Sequence, residues 1–290
     1  MARTNRREFL RQSLAAGSVA ALPMTAWPAQ ARHANDVFEI GPTKVKVSRL
    51  IMGSGTFGGG SSSNQMRKLG AAGLADLWWD AFDNGVFFWD TADTYGTHAA
   101  VKVALNTKRM PREKVTLLTK TSARSAEDMK ASLDRYFQEM GTDYIDVVLL
   151  HSRMSPKWDE LDKGVMDVLS EAKQAKKVRA VGISCHSVEA MKLAAKSPWL
   201  DICLCRINPA GVRMDAPTEE VLPLLADLKA AGKGVLGMKT LGEGQLVDRL
   251  DEALRFAATK DAVHAFSIGV ESRAQLKDLL ERIPKVSQPA

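Results

Sequence analysis

Eight short apolar runs alternate along the chain with longer stretches in which apolar residues return at helical spacing. The runs fall at 50–52, 86–90, 115–119, 144–150, 178–183, 201–207, 234–238 and 263–268. The helical stretches fall at 66–84, 97–107, 124–139, 159–176, 187–196, 217–231, 246–259 and 273–282. Runs that are apolar throughout belong to strands buried on both faces, as in parallel sheets. Their alternation with helices predicts a parallel sheet wrapped by helices, and eight units in roughly 240 residues predict a closed (β/α)8 TIM barrel. Ahead of the first unit, residues 37–40 and 44–47 flank Gly41-Pro42 in a hairpin pattern. With no linker or shift in composition, residues 32–290 are read as one barrel domain.

Three runs end on a side chain with chemistry. Val86-Phe87-Phe88-Trp89 stops at Asp90 and a short loop then carries Tyr95; the run at 115–119 stops at Lys120, and that at 144–150 stops at His151. In a parallel barrel these ends gather on the C-terminal rim, where active sites are built. A tyrosine with a pKa near 10 is a poor acid at neutral pH, and Lys120 beside it is expected to lower that value. Asp90 is expected to pair with Lys120, and His151 to orient the reacting oxygen. Such a set gives a proton to, or takes one from, a carbonyl or alcohol oxygen. Reduction also needs a hydride, which no side chain supplies, so a nicotinamide cofactor is implied. Histidine spacing gives no metal site. Singly, an Asp–Lys pair is equally a buried salt bridge, and the tyrosine and histidine packing residues; their place on consecutive strand ends favours a site.

Composition adds a leader. Within residues 1–31, Arg6-Arg7 precede Phe9-Leu10, an apolar segment follows from Ser13 to Trp27, and Ala29-Gln30-Ala31 closes it, which is the plan of an export signal of the twin-arginine class. The expected destination is the periplasm, reached through the twin-arginine machinery. The apolar part is too short for a stable membrane span. The formal charge of +6 includes four arginines and one glutamate of this leader, so residues 32–290 carry about +3, and no basic stripe with aromatics points to nucleic acid. Three cysteines, Cys185, Cys203 and Cys205, are too few and too closely spaced for a disulfide framework and read as small core residues. Gly53-Ser54-Gly55-Thr56-Phe57-Gly58 has the outline of a dinucleotide fingerprint, but more glycine and serine follow where a helix should begin. It is read as a glycine loop bordering a site.

The chain resembles the aldo-keto reductases. The resemblance rests on Gly53-Ser54-Gly55-Thr56-Phe57, Phe88-Trp89-Asp90-Thr91-Ala92-Asp93-Thr94-Tyr95-Gly96, Leu118-Thr119-Lys120, Tyr144-Ile145-Asp146 through His151, and Val181-Gly182-Ile183-Ser184, and covers residues 36–282. It implies that the hairpin closes the barrel bottom, that Tyr95 is the acid/base tuned by Lys120 and Asp90, and that His151 orients the substrate. It also implies NAD or NADP lying across the barrel mouth, against Gly55, Thr56, Phe57, Asp90, Ser184, Lys239, Leu241, Gly244, Gly269, Gln275 and Asp278. Here the Ser-Asn of the family reads Ser184-Cys185-His186, so His186 is expected to take over an amide contact or to face solvent. The family's glutamine on the sixth barrel strand reads Leu204. After the eighth, acidic Glu271 stands where NADP-binding members carry basic residues, favouring NAD unless Arg273 compensates. The chain ends soon after the eighth helix, without the family's long C-terminal loop, so an open pocket for a small aldehyde, ketone or alcohol is expected. Two other functions fit parts of this pattern: a cofactor-binding sensor or partner module without turnover, and a Schiff-base aldolase using Lys120.

Overall fold

Ten strands and the helices between them follow the predicted alternation in a computed structural model, which describes residues 31–58, 60–106 and 110–288. All but the last residue of the expected leader lie outside the described residues. Strands β1 (Val37–Ile40) and β2 (Val45–Ser48) form an antiparallel hairpin. The barrel strands are β3 (Leu50–Gly53), β4 (Phe88–Asp90), β5 (Thr116–Thr121), β6 (Ile145–Arg153), β7 (Val178–Cys185), β8 (Ile202–Arg206), β9 (Gly234–Met238) and β10 (Ala265–Gly269). They pair in parallel in chain order, and β10 returns to β3 to close the ring. Strands β5 and β6 run past the expected ends, through Thr121 and Arg153.

Two apolar clusters explain why this chain closes. Outward-facing strand residues pack with the helices in one layer, including the stacked Trp78 and Trp89. The lumen holds the other: Ile51, Phe88, Leu118, Leu149, Ala180, Leu204, Leu236 and Ala265, joined by Ile40, Val45 and Val47 of the hairpin. The hairpin turn sits at the N-terminal rim, since a side chain on Gly41 would meet the Asp201 carbonyl just before β8, at 2.9 Å. It therefore seals the bottom of the barrel and leaves the opposite mouth as the place for a ligand. Serines start four helices: Ser63, Ser125, Ser187 and Ser272 each accept a hydrogen bond from the backbone N–H three residues on.

Candidate active site

Strand periodicity builds the mouth. Side chains alternate across a strand, so the residue two beyond a lumen-facing one also faces the lumen, one step nearer the rim. Stepping on from Phe88, Leu118 and Leu149 gives Asp90, Lys120 and His151; from Leu204 and Ala265 it gives Arg206 and Ser267. Ser184 stands four residues beyond Ala180 on the same face of β7. Tyr95 is brought over this layer by the loop after β4. Asp93 fixes that loop: it accepts from the Ser122 N–H at 2.7 Å and from the Tyr136 hydroxyl at 3.1 Å. Ser54 Oγ donates to the Asp90 carbonyl at 2.7 Å, tying the glycine loop to β4.

Asp90 and Lys120 form a buried ion pair. The ammonium also donates to the Thr91 carbonyl at 2.9 Å, and the second Asp90 oxygen accepts from Ser267 Oγ at 3.0 Å. Lys120 Nζ lies 4.8 Å from the centre of the Tyr95 ring, and the His151 ring meets that ring edge-on at 5.7 Å. Four side chains from three strands and one loop thus share one small region of the mouth. The tyrosine ring lies against two glycines of the loop after β3. A Cβ on Gly55 would come within 2.3 Å of the Tyr95 ring, and one on Gly58 within 2.7 Å. Neither position has room for a side chain.

Electrostatics corrects one expectation. The Tyr95 pKa lies above its ordinary value, not below, because burial disfavours the phenolate more than Lys120 favours it. Burial is the largest influence on Lys120 and works against its charge, but Asp90 and Tyr95 together outweigh it and raise the pKa. His151 is pushed down to about 3, first by burial and then by Lys120. At neutral pH the set is a neutral phenol, an ammonium and a neutral imidazole.

A cleft of about 480 Å³ runs from Asp90, Tyr95 and Lys120 over the rim, with His151 not among its lining residues, within the range of small-ligand sites. Gly55, Thr56, Phe57, Asp90, Lys239, Leu241, Gly244, Gly269, Glu271, Gln275 and Asp278 all line it. Ser184 and His186 are not among its lining residues. Ser184 is fully buried in the lumen and its hydroxyl has no partner among the described residues. His186 is half-buried, bonded to Arg206 and 3.5 Å from Ser152 Oγ, and burial followed by Arg206 pushes it down to about 3. Glu271 is held by Lys68, and its N–H donates to Gln275 at 2.7 Å. Arg273 pairs with Asp80 and is not among the lining residues. Ser267, Thr240 and Arg206 were missed by the sequence reading; for Ser267 and Arg206 the two-residue step along a lumen-facing strand was the available signal. A dinucleotide fits these residues: bare backbone at Gly53 and Gly269 borders the cleft, and the buried hydroxyl of Thr240, which lines it, has no partner among the described residues.

Residues 49–261 match the aldo/keto reductase family. The chain is 25% identical over 209 residues to the NADH-specific methylglyoxal reductase of Escherichia coli, covering 65% of this chain and 63% of that one. It is 24% identical over 186 residues to the L-galactose dehydrogenase of Arabidopsis thaliana, covering 59% and 56%. The chain thus spans less than two thirds of the length of these relatives. Among solved structures, the holo form of aldo-keto reductase AKR11C1 from Bacillus halodurans superposes with a TM-score of 0.68 at 19% identity, over 88% of this chain and 97% of that one. That likeness supports the barrel. The chain belongs to the aldo/keto reductase family of oxidoreductases.

Proposed function

We propose that this aldo/keto reductase family member interconverts a small aldehyde or ketone and its alcohol, with NAD or NADP as the redox partner and Tyr95 as the acid/base. The observation that carries the reading is the buried Asp90–Lys120 pair beneath the Tyr95 ring, with His151 alongside. Bound in the cleft, a reduced nicotinamide supplies the hydride. The protein's part is to place the carbonyl and handle the proton. Because burial holds the Tyr95 pKa high, the phenol keeps its proton at neutral pH and is loaded as an acid. As it gives that proton to the carbonyl oxygen, negative charge grows on the phenol oxygen beside Lys120. The ammonium then stabilises a charge absent from the ground state, which is the differential effect that accelerates a reaction. Asp90 and the Thr91 carbonyl hold the ammonium in place. Neutral His151 serves by orienting the carbonyl oxygen and not as a proton source.

The relatives' names support a nicotinamide partner: one is called NADH-specific, another NAD/NADP-dependent. Glu271 in the lining favours NAD, since a carboxylate bonds a ribose hydroxyl and repels a phosphate. A Schiff-base role for Lys120 is opposed by its raised pKa, because that chemistry needs a free amine. Residues 32–290 mixed with NADH or NADPH and a panel of aldehydes test the reading through loss of reduced-nicotinamide absorbance. Turnover, abolished in Tyr95→Phe with cofactor binding kept, is the expected result. Tight binding without turnover would instead make the barrel a sensor. The leader at residues 1–31 is proposed to export the folded chain by the twin-arginine route. Replacing Arg6-Arg7 by lysines, followed by fractionation, should leave the protein in the cytoplasm.

A further inference from the structure

We infer that Cys185, Cys203 and Cys205 form a three-coordinate site for Cu(I) in the layer between β7, β8 and the surrounding helices. Sequence separation hides the trio, and pairing of β7 with β8 assembles it: Ile183 lies opposite Cys203, and Ser184 opposite Leu204. Cys203 Sγ stands 3.5 Å from Cys185 Sγ and 3.3 Å from Cys205 Sγ, and the three sulfurs all lie within 4.8 Å of one another. Three thiolates around one ion at about 2.3 Å place their sulfurs roughly 4 Å apart, so only small rotations separate the observed trio from coordination.

The donors select the ion. Soft sulfur ligands favour Cu(I) and Zn(II), and structural zinc requires four ligands. Among the described residues no imidazole or carboxylate joins the three sulfurs, which leaves three-coordinate Cu(I). All three side chains are fully buried and unbridged. Cys203 and Cys205 sit two apart on one strand, near the upper limit for a disulfide. The thiols are held well above their ordinary range, that of Cys185 first of all by burial, so a thiolate forms there only against an entering cation. With all three sulfurs ligating as thiolates, the form that binds a metal, loading releases three protons to solvent and changes no oxidation state. Because the site is enclosed, the ion enters as β7 and β8 come together.

The full chain is refolded anaerobically with a Cu(I)–glutathione complex or with Zn(II), and is also purified from copper-supplemented cells. Native mass spectrometry and metal analysis then count bound ions. The expected result is one copper per chain by both routes, with a higher melting temperature, and loss of both copper and shift in Cys203→Ser. Circular dichroism checks that the variant folds; Cys205→Ser, which should also lose the ion, replaces it if it does not. Copper-free wild type, equal copper in Cys185→Ser/Cys203→Ser/Cys205→Ser, or retention of Zn(II) in preference to Cu(I) would overturn the assignment.

Discussion

The two halves of the barrel mouth are built differently. From β4 to β5 the charged groups satisfy one another: Asp90 holds Lys120 and accepts from Ser267, and Lys120 donates to Thr91. From β7 to the loop after β9, the buried hydroxyls of Ser184 and Thr240 lack partners among the described residues. A buried polar group left unpaired costs about 1–3 kcal/mol, so the second half carries a penalty that a ligand's polar atoms would remove. On the proposed reading, one half would move a proton and the other would hold a ligand. The difference separates a set of residues whose removal should damage fold and chemistry together from one whose removal should touch binding alone.

Four experiments sharpen that contrast. Lys120→Met should have the largest effect: it strips the buried Asp90 carboxylate of its counter-ion, costing about 3–5 kcal/mol in denaturant unfolding, and lowers kcat by roughly 10²–10⁴-fold. Gly55→Ala leaves every charged group in place but drives a methyl into the Tyr95 ring. A misplacement of about 1 Å costs around 10²-fold in rate, so kcat should fall by that order while cofactor affinity, read by nicotinamide fluorescence, holds.

Acid should act through two half-buried imidazoles. In the folded protein His151 and His186 titrate at about 3, below the ordinary 6.5. Between those values the unfolded chain binds protons that the native imidazoles refuse, so stability rises with pH and is lost as pH falls from 6.5 towards 3. The slope should be about 1.4 kcal/mol per pH unit for each histidine, and His151→Gln should remove one share of it in urea melts at stepped pH. The smallest effect belongs to the other half: Ser184→Ala should leave the melting temperature level or slightly raised, while weakening the cofactor about 5-fold. Equal losses of stability at Lys120 and Ser184 would erase the distinction between the halves.

The parts of the molecule legible in the sequence were those whose signal is local. The barrel strands are built on mostly apolar runs, and Asp90, Lys120 and His151 stand where three of these runs turn polar, so the fold and the placing of these residues on one rim could be read from local sequence. What stayed hidden depends on closure or on the balance of opposing fields. Ser267 lies 177 residues from Asp90 and meets it only when the ring shuts. The sign of the Tyr95 shift turns on burial against one nearby charge, and no spacing rule weighs those two. Arg273 looked available because its partner Asp80 lies on a helix far away in the chain.

That closure sets a timetable for synthesis. The strand that seals the ring, Ala265–Gly269, also supplies the hydroxyl that caps the Asp90 carboxylate. A nascent polypeptide still missing it has an open seam between β9 and β3 and an incompletely partnered acid at its centre. The ribosome must therefore release nearly the entire barrel before the ring can shut, and a premature stop upstream of residue 265 removes both the closing strand and the Asp90 partner.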